Sequence, residues 1–378
     1  MNKINTPCIV FDEDRVKSNL SVIENLTIRT GVKFLLALKA FALFPTFVLI
    51  RPYVVGATSG SLCETRLGKE ELGGEVHSYA PAFLASEFDD IALNSTHLIF
   101  NSLSQYAAYA KRALDLKPDL SLGLRINPLV SVSTRKEYDP CESGSRFGIR
   151  FSELREILEN IEGLHFHIHC ENTSCAGLEL LFATIEDQIG NRLNKLKWLN
   201  LGGGLVVTDK DFDFENFVAL IKAFKSKYPH LVLYMEPGAA YVWQAGYLLT
   251  SVVDIIEAEG TKTAILDVSF EAHLNDTLLG WRPSIVGASE VDADIDNHNL
   301  YKLGGISCAA CDVLAEYAFK KPLNIGDQII IEDALHYTLV KMTCFCGTLP
   351  PSIAIKKSNG EIQYLKAFSY SDYKNRLG

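Results

Sequence analysis

The chain has 378 residues, of which 48% are hydrophobic and 22% charged, and its formal net charge is −10. That is too long for one ordinary core and enough for two domains of a soluble globular protein. The acidic balance argues against a nucleic-acid binder, which needs a basic face, and no apolar run reaches the length of a membrane span.

Cys8-Ile-Val-Phe11 reads as a strand, with no basic-then-apolar leader ahead of it. Asp12 is placed to cap a helix from Glu13 to about Arg29, and Gly31 to end it. A regular alternation follows. Strands are expected at Phe34–Leu38, Tyr53–Ala57, Val76–Tyr79, Leu98–Phe100, Leu120–Ile126, Leu164–Ile168, Trp198–Leu201 and Leu231–Met235. Helical patterns lie between them at Phe44–Ile50, Leu62–Leu72, Ser86–Asn94, Ser104–Leu116, Phe151–Ile161, Leu178–Leu196 and Phe214–Tyr228. Continuous apolar strands joined by helices indicate a parallel sheet covered by helices. Eight such units in about 200 residues fit a (β/α)8 barrel, with an open doubly wound sheet as the alternative.

From about Tyr241 the texture changes to short β-branched segments separated by turn residues, among them Tyr247–Ile256, Lys262–Val268, Gln328–Glu332 and Ser352–Lys356. This reads as an all-β domain. The strand near Cys8 is expected to join it, so the division is 12–240 for the barrel and 1–11 with 241–378 for the β domain. Nine scattered cysteines fit reduced thiols and a cytoplasmic location.

Barrel enzymes place their chemistry at the carboxyl ends of the strands. Those ends carry Lys39, Thr58-Ser59, Tyr79, Asn101, Arg125 with Asn127, His165, His167 and His169 with Cys170-Glu171, Gly202-Gly-Gly204, and Glu236-Pro-Gly238. Lys39 ends a buried apolar run, where a lysine is cheaper neutral, and a neutral amine condenses with aldehydes. The alternative is a side chain snorkelling to water. The triglycine and the Glu236-Pro-Gly238 turn offer backbone N–H groups at neighbouring strands, as a phosphate cradle would; tight turns are the plainer reading. The spacing is neither a Walker loop nor a full dinucleotide fingerprint. His165, His167 and His169 alternate along the expected strand and so share one face. Between a metal site and a histidine stacked on a flat cofactor, the second is preferred, and no metal is expected. Cys308-x-x-Cys311 and Cys344-x-Cys346 do not sit on a typical zinc-ribbon turn. Cys308 lies instead in the small-residue loop Gly304–Asp312, which can bring a thiol close to a ligand; a plain turn with buried thiols is the alternative.

Taken together these residues resemble a family. Ala37-Leu-Lys-Ala40, Phe166-His-Ile-His169, Gly202-Gly-Gly204, Glu236-Pro-Gly238, Gly305-Ile-Ser-Cys308 with Asp312, and Tyr337 stand in this order. They look like the pyridoxal-phosphate decarboxylases of the alanine-racemase fold type, which include ornithine and diaminopimelate decarboxylases. Within that group, Thr6-Pro-Cys-Ile-Val-Phe, Ser145-Arg-Phe-Gly148 and Phe166-His-Ile-His-Cys-Glu171 most resemble the carboxynorspermidine (carboxyspermidine) decarboxylases. The resemblance covers nearly the whole chain. It implies pyridoxal 5'-phosphate as cofactor, held as a Schiff base by Lys39, with His167 stacked on its ring and Glu236 on its pyridine nitrogen. It implies that Gly203, Gly204 and the Gly238-Ala239-Ala240 turn hold the phosphate, with Tyr337 nearby. It also implies that Cys308 protonates the carbanion from a partner subunit of a homodimer with shared active sites.

Two positions depart from the family pattern. Ala309 stands where ornithine and diaminopimelate members often carry an acid after the catalytic cysteine, and Ala239 where many carry Arg. Both departures suit a longer polyamine amino acid whose distal amines are met elsewhere. The candidates are Glu171, Glu271, Asp276 and Asp312, with Arg282 for a carboxylate. The expected reaction is decarboxylation of carboxynorspermidine and/or carboxyspermidine to norspermidine or spermidine. The alternatives are a decarboxylase of another basic amino acid, an amino-acid racemase of the same fold, and a non-catalytic binding homologue. Racemases of this fold carry Arg at the pyridine nitrogen, so Glu236 favours decarboxylation, and Lys39 with Cys308 argues against the binding homologue. The Val130–Ser145 loop is a candidate lid.

Overall fold

The computed structural model describes residues 4–133, 136–154, 160–290 and 299–378. Two compact units share the chain: residues 4–17 with 242–378 make one, and Ser18–Tyr241 the other.

In the second unit, β2 (Lys33–Ala37), β3 (Gly56–Ser59), β4 (Glu75–Tyr79), β5 (His97–Phe100), β6 (Ser121–Arg125), β7 (Ile161–His165), β8 (Trp198–Asn200) and β9 (Val232–Met235) close into a barrel in chain order. Each neighbouring pair is parallel, and closure comes from Lys33 against Tyr234 and Phe34 against Met235. This is the (β/α)8 architecture, and the closing pair removes the open-sheet alternative. Caps start the helices where the chain must turn back. Ser61, Ser102 and Asp213 each accept a hydrogen bond from the backbone three residues on, opening helices Leu62–Leu67, Leu103–Leu116 and Phe214–Lys227.

Several boundaries differ from the sequence reading. The strand expected at Tyr53–Ala57 starts at Gly56, because Pro52 holds a 3-10 turn over Arg51–Tyr53. The helices expected at Phe44–Ile50 and Leu62–Leu72 each change pitch partway, the first from 3-10 to α and the second from α to π. The helix expected over Phe151–Ile161 begins as a 3-10 turn, Phe151–Glu153; residues 155–159 lie outside the described residues, and Ile161 opens β7. The strand expected at Leu164–Ile168 ends at His165. Its neighbour β8 ends at Asn200 and the chain turns at Gly202 with φ +77°, so no ladder partner remains for His167 and His169. The three histidines therefore do not share one strand face, and each has its own surroundings.

The first unit is a mixed sheet built on the N-terminal strand. β1 (Cys8–Asp12) runs antiparallel to β10 (Gly246–Ala258) and parallel to β16 (Ser352–Lys356). β11 (Thr261–Leu266), β12 (Ala288–Glu290), β13 (Leu300–Gly304), β14 (Val313–Phe319), β15 (Gln328–Glu332) and β17 (Ile362–Lys366) complete it. Among the described residues, no helix is long and apolar enough to cross a membrane.

The barrel interior opposite the strands' carboxyl ends holds a charged plug. Lys33 Nζ pairs with Glu75 at 2.9 Å, and His77 Nε2 lies 3.1 Å from the same carboxylate. His77 and His97 stack with ring centroids 3.8 Å apart. Glu75, His77 and His97 offer ligand atoms within 4.8 Å of one another. An ion in the plane of one stacked ring would nevertheless sit outside the plane of the other, and the Lys33 ammonium already neutralises Glu75. Burial lowers the pKa of both histidines, His97 to about 3. Burial alone would raise Glu75, but hydrogen bonds from His77, Lys33 and Tyr234 bring it down to about 2.

Both depressions act in one direction. Below about pH 6.5 the unfolded chain protonates histidines that the fold keeps neutral, and below about pH 4.5 it protonates Glu75 while the fold keeps the anion. Stability is therefore present at neutral pH and lost on acidification. The melting temperature is expected to fall between about pH 7 and about pH 5, and His97→Asn is expected to remove part of that slope. Thermal unfolding followed across pH checks this; an unchanged slope in the variant would rule out His97 as a contributor.

Candidate active site

At the carboxyl ends of the barrel strands, Lys39 follows β2 on a turn in which the Ala40 and Phe41 N–H groups both reach Ala37 O. Its side chain is open to solvent yet ringed by protein. Burial lowers its ammonium pKa and the Arg125 charge adds to this, while Glu236, Cys170 and Glu64 pull the other way. Its amine has no hydrogen bond or ion pair among the described residues, as a nucleophilic amine requires.

Glu236 follows β9 and is buried. Its Oε1 accepts from His165 Nε2 at 3.0 Å and from Asn200 Nδ2 at 2.7 Å. Asn200 is itself oriented by Gly202, whose N–H donates to Oδ1 at 2.9 Å. Burial alone would raise the Glu236 pKa; His165, together with the Lys39 charge, brings it to about 2. Burial lowers the His165 pKa against the pull of the Glu236 carboxylate, and the bond to Oε1 places a proton on Nε2. The Tyr79 ring stacks on His165 at 5.4 Å, and its hydroxyl donates to Asn101. The Arg125 guanidinium lies 4.8 Å over the Tyr79 ring. Oε2 of Glu236 carries no hydrogen bond among the described residues.

His167 Nδ1 accepts from the Gly203 N–H at 3.0 Å. That bond places the ring's proton on Nε2, and burial together with the Lys39 and Arg125 charges holds the pKa well below the usual histidine range. Gly203 thus orients the histidine, and a Cβ there would lie 2.2 Å from Glu236 O. Gly204 has φ +87°, and a Cβ on it would lie 2.1 Å from His169 O. Gly238 packs on Ala40, and Ala239 opens the short helix Ala239–Val242. His169 is buried, and neither ring nitrogen is hydrogen-bonded among the described residues. Glu171 is exposed with φ +43°. Part of the Val130–Ser145 loop is pinned, with Cys141 Sγ on His167 O and Asn172 Nδ2 on Val132 O; residues 134–135 lie outside the described residues.

A second group lies in the β unit. Asp312 is buried, and its carboxylate accepts from the Phe270, Glu271 and Ser307 N–H groups at 2.6, 3.2 and 2.9 Å. It ties the Cys308 turn to the helix Phe270–His273. Cys308 is exposed, with its Sγ 3.1 Å from that of Cys346. Asp276 is paired with Lys341 at 2.6 Å. Arg282 is exposed. Tyr337 holds φ +56° with the Lys341 ammonium 4.8 Å over its ring. One buried oxygen of Glu271, Oε2, has no hydrogen-bond partner among the described residues. Of the acids singled out in this unit for the distal amines, Asp312 and Asp276 are already engaged, which leaves Glu271. Sequence reasoning missed Asn200, whose only signal was one amide closing an apolar strand, and the approach of Cys346 to Cys308.

The family model described as "Pyridoxal-dependent decarboxylase, C-terminal sheet domain" matches residues 8–334. The chain belongs to the pyridoxal-dependent decarboxylases. It is 41% identical to a carboxyaminopropylagmatine decarboxylase of Synechocystis sp. over 100% of this chain and 97% of that protein. It is 39% identical to a carboxynorspermidine/carboxyspermidine decarboxylase of Campylobacter jejuni subsp. jejuni over 99% of each. The crystal structure of carboxynorspermidine decarboxylase from Campylobacter jejuni, complexed with norspermidine, superposes with a TM-score of 0.89 at 38% identity, covering 99% of this chain and 100% of that one.

The barrel residues fit the cofactor of this family of decarboxylases. An unpartnered amine, an ionised carboxylate with one oxygen still open to a donor, and a neutral histidine held by Gly203 stand among the strand ends. The anion at Glu236 depends on its donors. Asn200→Ala removes one charge-assisted hydrogen bond, a contribution of about 1.5–3 kcal/mol, so turnover is expected to fall on the order of tenfold or more. The Glu236 pKa rises at the same time, so the acid limb of the pH–rate profile moves upward. Steady-state CO2 release across pH measures both; an unmoved acid limb would contradict the role given to Asn200.

Proposed function

We propose that this decarboxylase acts on carboxynorspermidine and/or carboxyspermidine and yields norspermidine or spermidine, working as a homodimer with shared active sites. The relatives' substrates share a carboxyaminopropyl arm on an amine and differ in the tail. The observation that carries the polyamine reading is the unpartnered Oε2 of Glu271, which offers an acid for a tail amine where Ala309 offers none. The 41% relative brings a second reading, a guanidinium tail, which the same carboxylate would receive in bidentate fashion.

Pyridoxal phosphate, when bound, supplies the electron sink for the charge left by loss of CO2. Lys39 anchors it through its neutral amine, and Glu236 keeps a proton on the pyridine nitrogen. His167 supports the ring face, and Gly203, Gly204, Gly238 and Ala239 form the phosphate end, with Tyr337. Of these, Gly203 serves through its hold on His167. Cys308 delivers the proton at the carbon that has lost CO2. Glu271 receives the tail, and Glu171 and Arg282 stand as further contacts. Leu278, Leu279, Ile306, Val340, Phe345 and Leu349 are exposed apolar residues of the β unit, two of them within two residues of Cys308 or Cys346, and they suit burial against a second copy of the chain. A cytoplasmic location accords with the nine free cysteines.

Carboxynorspermidine, carboxyspermidine and carboxyaminopropylagmatine should be offered to the purified protein with CO2 detection. The carboxypolyamines are expected to give the highest kcat/KM, with a modest ratio between the first two because they differ by one methylene. Lys39→Ala is expected to abolish release. Glu271→Gln is expected to raise KM about 10–100-fold with a smaller change in kcat, the loss of a hydrogen bond to a charged group. Preference for the agmatine conjugate would overturn the amine-tail assignment. Mixing inactive Lys39→Ala with inactive Cys308→Ser is expected to restore activity if the sites are shared; no recovery from exchanged subunits would refute sharing.

A further inference from the structure

We propose that Cys308 and Cys346 form a site of reversible oxidation, closing to a disulfide that removes the Cys308 proton donor. Cys308 and Cys346 are both exposed, and their sulfurs lie 3.1 Å apart across 38 residues of sequence. Among the described residues neither Cys311 nor Cys344 makes a thiol–thiol contact. The pairing is built into two anchored turns. Asp312 clamps the Cys308 turn by accepting from the N–H groups of Ser307, Phe270 and Glu271. Thr343 N–H donates to Ala272 O of the same short helix at 2.8 Å, which holds the Cys346 turn beside it. Cys346 itself sits at φ +53°, a backbone state that non-glycine residues adopt rarely. Its hydrogen bond to Cys308 pushes the Cys346 thiol pKa up. An attacking thiol and a second thiol at contact distance are the parts a redox-active pair needs.

The oxidant is a peroxide. The Cys308 thiolate attacks one peroxide oxygen, the O–O bond breaks, and a sulfenic acid forms with release of one water. The Cys346 sulfur then attacks the sulfenic sulfur, the S–O bond breaks, and a second water leaves. Two thiols lose two electrons and two protons in all, and the peroxide becomes two waters. A dithiol reductant reverses the step. Without Cys346, the sulfenic acid at Cys308 stays open to further oxidation to sulfinic acid, which a dithiol does not reduce. Cys346 would thus protect the position as well as switch it.

The silencing part of the inference rests on Cys308 being the proton donor, and the test separates the two. The purified holoenzyme is treated with hydrogen peroxide, quenched with a thiol-blocking reagent and digested without reduction. The expected result is a linked peptide containing Cys308 and Cys346, a fall in CO2 release of about tenfold or more, and recovery with dithiothreitol. Cys346→Ser is expected to keep its basal rate but to lose activity irreversibly under the same treatment, with sulfinic acid at Cys308. Mass spectrometry of the untouched chain reads the modification whether or not the variant folds. Absence of the linked peptide, or links that bypass Cys346, would overturn the oxidation site. A complete disulfide with undiminished turnover would leave the site standing and overturn the proton-donor role of Cys308.

Discussion

A buried carboxylate is the constraint on which the barrel mouth depends. Leaving Glu236 ionised inside the protein costs several kcal/mol unless donors meet it. His165 at the end of β7 and Asn200 at the end of β8 both donate to a single oxygen. That demand propagates outward. Asn200 must be turned correctly, and the Gly202 N–H does so. His165 must present its protonated nitrogen, and Tyr79 stacks against it under the Arg125 guanidinium. The backbone of Gly203 must come close beneath Glu236, where a Cβ would have no room. The glycine run is thus required by the approach of three strand ends to one charge, whatever else its N–H groups bind.

Asp312 poses the same problem in the β unit and solves it differently. All its hydrogen bonds come from backbone, and they occupy both oxygens. A carboxylate satisfied in that way is a fastener. Glu236 has its donors crowded on one oxygen, which leaves the other available for chemistry. Two buried acids, each flagged in the sequence, therefore separate by how their donors are distributed.

Much of the fold was legible because its signals are local. Short strands alternate with helices, and the break in texture near Tyr241 marks a real change of architecture. Lys39, His167, the triglycine and Glu236 were legible because a barrel collects its strand ends at one mouth. What escaped was set by tertiary partners. The end of β7 depends on where β8 stops, so the shared face of His165, His167 and His169 dissolved once Asn200 and Gly202 were placed. The strands β12, β13, β14 and β17 are short or partly exposed and carry little pattern. Asp312 looked like a substrate ligand because backbone donors leave no mark in a sequence. Cys346 looked unrelated to Cys308 because only the folded turns bring them together.

The acid at Glu271 follows from the same fastener. This chain has Ala309 beside the cysteine, and Glu271, whose buried Oε2 has no hydrogen-bond partner among the described residues, stands instead on the helix that Asp312 clamps. Thiol and acid then belong to separate segments joined through one buried side chain. An acid beside the cysteine would fix tail length and proton delivery together, since one turn would carry both. Carried apart, the tail contact proposed at Glu271 can vary with the helix and the Asn275–Leu279 turn behind it while the thiol stays in place. That separation suits the tail contact proposed for Glu271, with a substrate longer than ornithine.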